Sequence, residues 1–300
     1  MIPLRHTPLP SQCRTLFLAA LMILAASAAM AQPGANHDSL ALARAAWHVD
    51  TMRGFVLKQV HFAHQEYMQS NQMISIIEIP KGSPVRLRLA YEPRRTATSL
   101  QAQRHHALAA VNATYFDMEN HNPICYLRIH GLEVGENTPG LDTVNRKYYQ
   151  YATLLLSADG PHLLLPDSNR RWERTVKGRD LVTAGPMLLF QGQYVPQRRD
   201  RTFATSRHNR TALGIKADGT VLLITVDGRT AESRGLSLFE LQRTMRYLGC
   251  TEAINFDGGG STTMYVRGKG ERGIVNYPSD NNRFDRQGER PVSSILMIVQ

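Results

Sequence analysis

The sequence has few cysteines and lacks a recognisable metal-binding motif. None of its three cysteines belongs to a Cys-x-x-Cys or Cys/His cluster, so the common structural zinc sites are excluded. Cys125 and Cys250 would remain after removal of an N-terminal signal, and an oxidising compartment would allow them to pair. The sequence therefore allows either a Cys125–Cys250 disulfide or two free thiols. Only the geometry of the fold decides whether their Cα atoms come close enough to pair.

Long apolar runs are absent beyond the N-terminus. Residues 15–28 are largely apolar, Arg5 and Arg14 precede them, and the small-x-small site at residues 29–31 follows. This order predicts a secretory signal peptide over residues 1–31, whose apolar run is too short for a comfortable membrane span. We therefore expect an exported protein, periplasmic or extracellular, with no stable membrane insertion after cleavage.

Runs of Lys and Arg interleaved with aromatic residues are also absent. The net charge is +10, and positive residues cluster within residues 170–179 and 198–210. Such clusters form either a solvated face or a site for an anionic ligand, and export argues against nucleic acid as that ligand. The partner that we expect is a glycan substrate that bears phosphate.

Hydropathy patterns predict a single domain of mixed α+β class. Apolar and polar residues alternate over residues 54–64, 73–80 and 85–91, which is typical of half-buried strands. Many shorter strand patterns follow, and residues 217–220 carry an Asp-Gly hairpin turn between two of them. We expect several mostly antiparallel strands in a sheet packed by a few helices.

Two helices are predicted within that domain. Residues 98–109 form the first, with Leu100 on its inner face, and Leu238–Leu248 form the second. Ser237 and Glu240 match a capping box at the start of the second helix. No repeat or linker interrupts the chain, so the predicted boundaries are a signal peptide (1–31), a leader with a short helix (32–54) and one domain (55–300).

The most informative motif is an aspartate followed by three glycines. An apolar run reaches Asp257, and Gly258, Gly259 and Gly260 precede three hydroxyl residues. Consecutive backbone amides in such turns can form an anion-binding cradle, although a plain turn with a helper aspartate also fits. The spacing matches neither a dinucleotide fingerprint nor a P-loop.

Four further blocks accompany this motif in order along the chain. The five blocks together are residues 111–116, 184–188, 209–214, 226–229 and 255–264. Over about residues 105–300 they resemble the phosphodiester glycosidase family. The resemblance implies a hydrolase that cleaves the glycosidic bond of sugar-1-phosphodiesters in envelope or extracellular glycan.

The matched blocks supply candidate site residues. Asp257 is the first candidate for nucleophile, base or oxocarbenium stabiliser, Asp227 is the second carboxylate, and Arg210 would clamp the phosphate. A structural turn for Asp227 and a surface ion pair for Arg210 are the alternatives, and His208 is expected to face solvent. The remaining candidates are predicted to bind substrate, and they are Asn112, Tyr115, Asn255, Gly258, Gly259, Gly260, Ser261, Thr262 and Arg229.

The chemistry requires no cofactor, although carboxylate and backbone oxygens beside Asp257 would suit a calcium ion. Two other functions fit the same residues. One is a non-catalytic module that binds anionic cell-envelope polysaccharide, and the other is a glycan transferase or exopolysaccharide biosynthesis factor. The sequence leaves the oligomeric state open.

Overall fold

The computed structural model describes residues 33–138, 147–167, 169 and 171–300. The signal peptide predicted over residues 1–31 lies outside the described residues. Across the described ranges, no helix is both long and apolar enough to cross a membrane.

Strands dominate the described part of the chain. They are β1 (His48–Met52), β2 (Phe55–Tyr67), β3 (Ser70–Ile79), β4 (Arg86–Ala97), β5 (Ala109–Asn112), β6 (Leu127–Ile129), β7 (Leu132–Gly135), β8 (Ala152–Ser157), β9 (Gly160–Leu164), β10 (Asp180–Ala184), β11 (Met187–Phe190), β12 (Gln193–Tyr194), β13 (Arg210–Lys216), β14 (Val221–Val226), β15 (Cys250–Asn255), β16 (Met264–Val266) and β17 (Pro291–Val299). The helices are α1 (Pro33–Ala43), α2 (Thr98–Arg104), α3 (Thr202–Thr205) and α4 (Leu238–Tyr247).

These strands form three sheets rather than the one that we predicted. The largest has the order β1-β2-β3-β14-β13-β15-β11-β12, the second β7-β6-β10-β8-β9 and the third β16-β5-β17-β4. Neighbouring strands pair antiparallel throughout these sheets, which confirms the predicted pairing within a largely β architecture.

One apolar core joins the three sheets. Leu57 from the first sheet, Leu154 from the second and Val111 from the third belong to one cluster of buried side chains. Phe256 and Met264, which flank the glycine-rich turn, belong to the same cluster. The turn is therefore held at both ends by buried apolar anchors.

Local sequence signals account well for the elements beside the turn. Between β13 and β14, the Asp218 carboxylate accepts the Thr220 N–H at 2.8 Å and Gly219 has a φ of +84°, so the predicted hairpin is confirmed. At the start of α4, the Ser237 N–H donates to Glu240 Oε2 at 2.8 Å and the Glu240 N–H donates to Ser237 Oγ at 3.2 Å. The predicted capping box is thereby confirmed.

Helix α2 differs from its prediction in both length and orientation. It ends at Arg104 rather than residue 109, and Leu100 is 48% exposed instead of lying inside. Gln101 takes the inner face, where its amide donates to Thr96 O and Val292 O at 2.8 Å each. A polar side chain with two backbone partners can thus occupy a position that hydropathy assigns to leucine.

Residues 33–54, predicted as a leader with a short helix, contain helix α1 and strand β1. Strand β1 pairs along its whole length with β2 at the edge of the largest sheet. Leu42 of α1 is 3% exposed and packs in the second apolar cluster beside Leu241 of α4.

Of the two outcomes that the sequence left open, the structure has the unpaired one, since Cys125 and Cys250 are both free and buried. They pack in separate apolar clusters, which keeps the two thiols apart. The Cys125 thiol points to Tyr149 O at 3.8 Å, and burial raises the pKa of both thiols to about 12.

Candidate functional site

The site lies where three adjacent strands of the largest sheet end. Arg210 begins β13, Asp227 follows β14 and Asp257 follows β15, and the antiparallel register brings these positions to the same end. Asp257 N–H donates to Ala113 O at 3.0 Å, just beyond the end of β5. The sequence blocks are thus brought together by the fold.

The first two glycine amides after Asp257 are already engaged within the protein. Gly258 N–H donates to Asp257 Oδ1 at 2.9 Å, and Gly259 N–H donates to Asn209 O at 3.0 Å. The predicted anion cradle therefore has to be corrected, because these two amides point to protein oxygens.

The glycines are required by close packing instead. A Cβ at Gly258 would lie 2.6 Å from Asn209 O, and one at Gly260 would lie 2.5 Å from Arg290 Nη2. Gly259 has a φ of +59°, and a Cβ there would lie 2.7 Å from Arg229 Nη2. Because each glycine lacks a side chain, a different neighbouring group can approach its backbone closely.

Asp257 is partly buried at the centre of this arrangement. Desolvation raises the pKa of its carboxyl to about 6. The Ser261 side chain, Arg290, the Gly258 N–H and Arg229 act in the opposite direction and favour the ionised form. A carboxyl with this pKa can hold or release a proton near neutral pH.

Asn112 is fully buried and forms hydrogen bonds to both sides of the glycine-rich turn. Its Nδ2 donates to Asp257 O at 2.6 Å, and its Oδ1 accepts from Thr211 Oγ1 at 2.7 Å and Thr263 N at 3.2 Å. These bonds make Asn112 a positioning residue. Its contact with a sugar hydroxyl stays a prediction.

Tyr115 and Asn255 form a second buried support. Asn255 Nδ2 donates to Tyr115 Oη at 2.8 Å, and Tyr115 Oη donates to Gly185 O at 2.8 Å. Burial first, and then the field of Asp257, raise the pKa of Tyr115 well above its ordinary value, so the phenol is neutral. Both residues position the strand end that carries Asp257.

Asp227 is 1% exposed, and both of its carboxylate oxygens accept hydrogen bonds. Asn276 Nδ2 donates to Oδ1 at 2.7 Å, and Tyr277 N–H donates to Oδ2 at 2.9 Å. Burial raises its pKa to about 7 despite these bonds. The carboxylate therefore anchors the segment at residues 276–277, and its predicted catalytic role has no exposed oxygen to act through.

Arg210 is buried, and its guanidinium binds backbone carbonyls. Nε donates to Leu236 O at 2.8 Å, while Nη2 donates to Phe203 O at 2.9 Å and Ser206 O at 3.0 Å. Burial lowers its pKa to about 10, which still leaves it charged at neutral pH. These bonds occupy Nε and Nη2, so few guanidinium N–H groups remain available for the predicted phosphate clamp.

Arg229, by contrast, is exposed and has a free guanidinium. It has a φ of +67°, a conformation that is uncommon for residues other than glycine. Its Nη2 lies against Gly259 and its charge acts on Asp257. Across the described part of the chain it has neither a hydrogen bond nor an ion pair of its side chain.

His208, which was expected to face solvent, is only partly exposed. Its side chain is partly buried, and burial, Arg210 and Arg229 together lower its pKa. The sequence feature that could have indicated its position is that it immediately precedes the matched block at residues 209–214.

Unpaired polar atoms lie close to the turn. Asn209 Nδ2, Thr262 Oγ1 and Thr263 Oγ1 are buried and have no hydrogen-bond partner among the described residues. Buried polar atoms are normally paired, so such atoms are candidates for ligand or water contacts.

Some positive residues of the predicted cluster at 198–210 are paired with acidic side chains. Arg207 Nε donates to Glu240 at 3.0 Å, and Arg198 Nη2 lies 2.8 Å from Asp200. Within the described ranges, no three His, Cys, Asp or Glu residues group closely enough to hold a metal ion. A calcium ion beside Asp257 stays a sequence-based expectation.

Comparison with known proteins adds the decisive observation. A family model described as phosphodiester glycosidase matches residues 105–299, which include all of the site residues described above. The chain belongs to the phosphodiester glycosidase family. This membership supports a glycosidase-type function.

Two curated relatives match a limited stretch. Mouse N-acetylglucosamine-1-phosphodiester alpha-N-acetylglucosaminidase is 42% identical over 90 residues, which is 30% of this chain and 16% of the mouse protein. The uncharacterized protein YomE, derived from the SPbeta prophage of Bacillus subtilis, is 36% identical over 88 residues, 25% of this chain and 14% of YomE. The aligned stretch thus spans a small part of either relative.

Two solved structures share the fold. The catalytic domain of the zebrafish N-acetylglucosamine-1-phosphodiester alpha-N-acetylglucosaminidase, auto-inhibited by its pro-peptide, has a TM-score of 0.63 and 20% identity. The match covers 84% of this chain and 85% of the zebrafish chain. A hypothetical protein from Synechocystis has a TM-score of 0.59 at 14% identity, over 84% of this chain and 63% of that chain.

Proposed function

We propose that this member of the phosphodiester glycosidase family is an exported hydrolase that cleaves sugar-1-phosphodiesters in envelope or extracellular glycan. The observation that carries the proposal is Asp257, a carboxyl with a pKa of about 6 beside Arg229 and Arg290, within the family's matched region. A carboxylate next to the Arg229 guanidinium, which is unpaired within the described residues, suits a bond that joins a sugar to an anion.

In the proposed reaction, the bond between the anomeric carbon and the phosphate oxygen breaks. Its electron pair leaves with the phosphate, and the oxygen of a water molecule forms the new bond to the anomeric carbon. The products are a free sugar and a phosphate monoester. Asp257, ionised above pH 6, would stabilise the positive charge on the sugar ring and accept a proton from the water.

Arg229 is the better candidate than Arg210 to bind the phosphate. Its guanidinium is exposed and unengaged within the described residues, whereas that of Arg210 donates to three backbone carbonyls. Arginine binds phosphate oxygens through paired hydrogen bonds, which need a free edge of the guanidinium. Arg210, Asn112 and Asp227 then act by positioning.

The test is hydrolysis of a methyl phosphodiester of N-acetylglucosamine-1-phosphate, a substrate that the names of the curated relatives suggest. We expect Asp257→Asn to lower kcat by roughly 100-fold or more, the usual size of a general acid–base contribution. Asp159→Asn, in an exposed hairpin of the second sheet, is the matched control and should leave kcat unchanged. Wild-type kcat in a folded Asp257→Asn variant would remove the proposed role of this residue.

Running the same reaction in ¹⁸O-labelled water separates hydrolysis from transfer. Label in the anomeric hydroxyl of the product shows that water is the acceptor. An unlabelled product formed only with an added glycan acceptor would instead identify a transferase. Binding of the phosphodiester without turnover would favour the polysaccharide-binding module.

A further inference from the structure

Three glycines, two from the connection between β14 and α4 and one from the turn after β15, contact the main chain of His208 and Asn209. A Cβ at Gly228 would lie 2.8 Å from Asn209 N, and one at Gly258 would lie 2.6 Å from Asn209 O. A Cβ at Gly235 would collide with His208 O. The segment is therefore packed closely against bare backbone.

Two backbone hydrogen bonds to Leu236, the residue after Gly235, fix the same segment. His208 N–H donates to Leu236 O at 3.3 Å, and Leu236 N–H donates to His208 O at 3.0 Å. The Asn209 carbonyl also accepts the Gly259 N–H at 3.0 Å. With its main chain held this firmly, the imidazole of His208 leaves the backbone in a defined direction.

The imidazole lies in the field of two arginines. Burial contributes most to lowering the pKa of His208, and Arg210 and Arg229 contribute next, so the ring is neutral at neutral pH. Neither ring nitrogen has a hydrogen-bond partner within the part of the chain that the structure describes.

The other charged groups around this segment are engaged with protein partners. Among the acids, Glu240 of α4 binds Arg207 and Asp280 pairs with Arg290. Asp227 accepts hydrogen bonds from Asn276 and Tyr277, and Asp257 accepts one from the Gly258 N–H. The guanidinium of Arg286 lies over the Tyr277 ring. Of the two arginines whose charge acts on His208, Arg210 donates to backbone carbonyls, while Arg229 has no side-chain partner among the described residues.

We propose that Arg229 and His208 together bind the phosphate group, and that His208 takes up a proton as the anion binds. The identity of the anion as a sugar phosphodiester rests on the proposed function. A bound anion offsets the positive field of Arg229, so the cost of protonating the neighbouring imidazole falls. The imidazolium then donates a charge-assisted hydrogen bond to a phosphate oxygen.

This arrangement also provides a proton for the leaving group. When the bond between the anomeric carbon and oxygen breaks, the electron pair passes to the phosphate oxygen, which takes the proton from His208. The attacking water gives one proton to Asp257 and keeps the other as the new hydroxyl of the sugar. His208 returns to its neutral form, and Asp257 releases its proton to solvent.

Calorimetric titration of the whole protein with sulfate, at pH 7 in two buffers of different ionisation enthalpy, tests the proton uptake. Sulfate carries a fixed charge near neutral pH, so any uptake comes from the protein. We expect the wild type to bind sulfate with uptake of part of a proton. We expect His208→Gln to bind it about tenfold more weakly, as loss of one charge-assisted hydrogen bond implies, and with uptake reduced to the small share that Asp257 contributes.

Two further variants make the result specific. Arg229→Gln should lose sulfate binding, while His105→Gln, a change at an exposed histidine after α2, should behave like the wild type. The proposal is overturned if the wild type fails to bind sulfate, binds it without proton uptake, or if His208→Gln retains the wild-type uptake. Hydrolysis of the phosphodiester without proton uptake on sulfate binding would support the proposed function and overturn this inference. Proton uptake on sulfate binding without hydrolysis would support this inference and overturn the proposed function.

Discussion

At the scale of single residues, Gly258 and Gly260 act through the side chain that they lack. Gly258 lets the turn touch the carbonyl of Asn209, and Gly260 lets the Asp280–Arg290 ion pair reach the turn. The neighbours differ in how they can respond to a methyl group, because a carbonyl is fixed while the ends of long side chains can move.

Gly258→Ala should therefore destabilise the protein by about 1–3 kcal/mol, the usual cost of overpacking a rigid site. Chemical denaturation would measure it. Gly82→Ala has open space around the new methyl group and bears only the strain of its left-handed backbone, with a φ of +77°. A Gly258→Ala variant as stable as the wild type would contradict the packing argument.

The two arginines of the site should separate in their effects. Arg229→Gln should raise KM for the phosphodiester roughly tenfold or more and leave the thermal midpoint near that of the wild type, since its side chain is exposed and unpaired within the described residues. Arg210→Gln should lower stability by several kcal/mol, on the order of 3, because it leaves one buried and two partly buried carbonyls without their donor. Steady-state kinetics and urea denaturation of both variants test this, and the reverse pattern would reassign the phosphate to Arg210.

At the scale of elements, helix α2 depends on a residue from the far end of the chain. Ser99 N–H donates to Glu289 Oε1 and Ser99 Oγ donates to Oε2, both at 2.7 Å. Glu289 thus caps the first turn of a seven-residue helix from a segment 190 residues away. No pattern within the helix itself predicts that contact.

Glu289→Ala should cost about 1 kcal/mol, as the loss of a helix cap usually does. The measurement is the free energy of unfolding, with Glu119→Ala as a control, since Glu119 is an exposed glutamate in a loop. Equal stability of the two variants would show that the cap contributes little.

Elements that are determined by contacts between residues close in sequence were predictable. Features that depend on contacts between residues far apart in the chain were not. The capping box at Ser237 and the hairpin at Asp218 need only neighbours within three residues. The inner face of α2 is set by Gln101 and a carbonyl from β17, a contact across 191 residues. The same distinction explains why Asp257 was recognised as part of a site while the reason for its glycines was not.

At the scale of the whole molecule, buried carboxyls give stability a distinctive pH dependence. Burial raises the pKa of Asp227 to about 7 and that of Asp257 to about 6, above the value near 3.9 expected in the unfolded chain. The folded state therefore holds more protons than the unfolded state between these values. Their contribution to stability is complete below about pH 4 and is lost as pH rises towards 7.

Asp227→Asn should remove its share of this loss. The wild type should lose stability relative to the variant by up to about 1.4 kcal/mol per pH unit between pH 4 and 7, with no further change above that range. Denaturation curves at several pH values measure the difference. The offset between the proteins also includes the acceptor that asparagine lacks for Tyr277 N–H, so the slope is the diagnostic quantity. A constant difference would show that Asp227 is ionised throughout.

The close packing of three glycines against the main chain of His208 and Asn209 has a practical consequence for protein engineering. Because the backbone there is confined by Gly228, Gly235 and Gly258, a new side chain at position 208 would be presented from the same starting point as the imidazole. Libraries restricted to position 208 would then vary the chemistry offered to a substrate while the scaffold stays constant. The position is a natural starting point for altering which leaving groups the protein accepts.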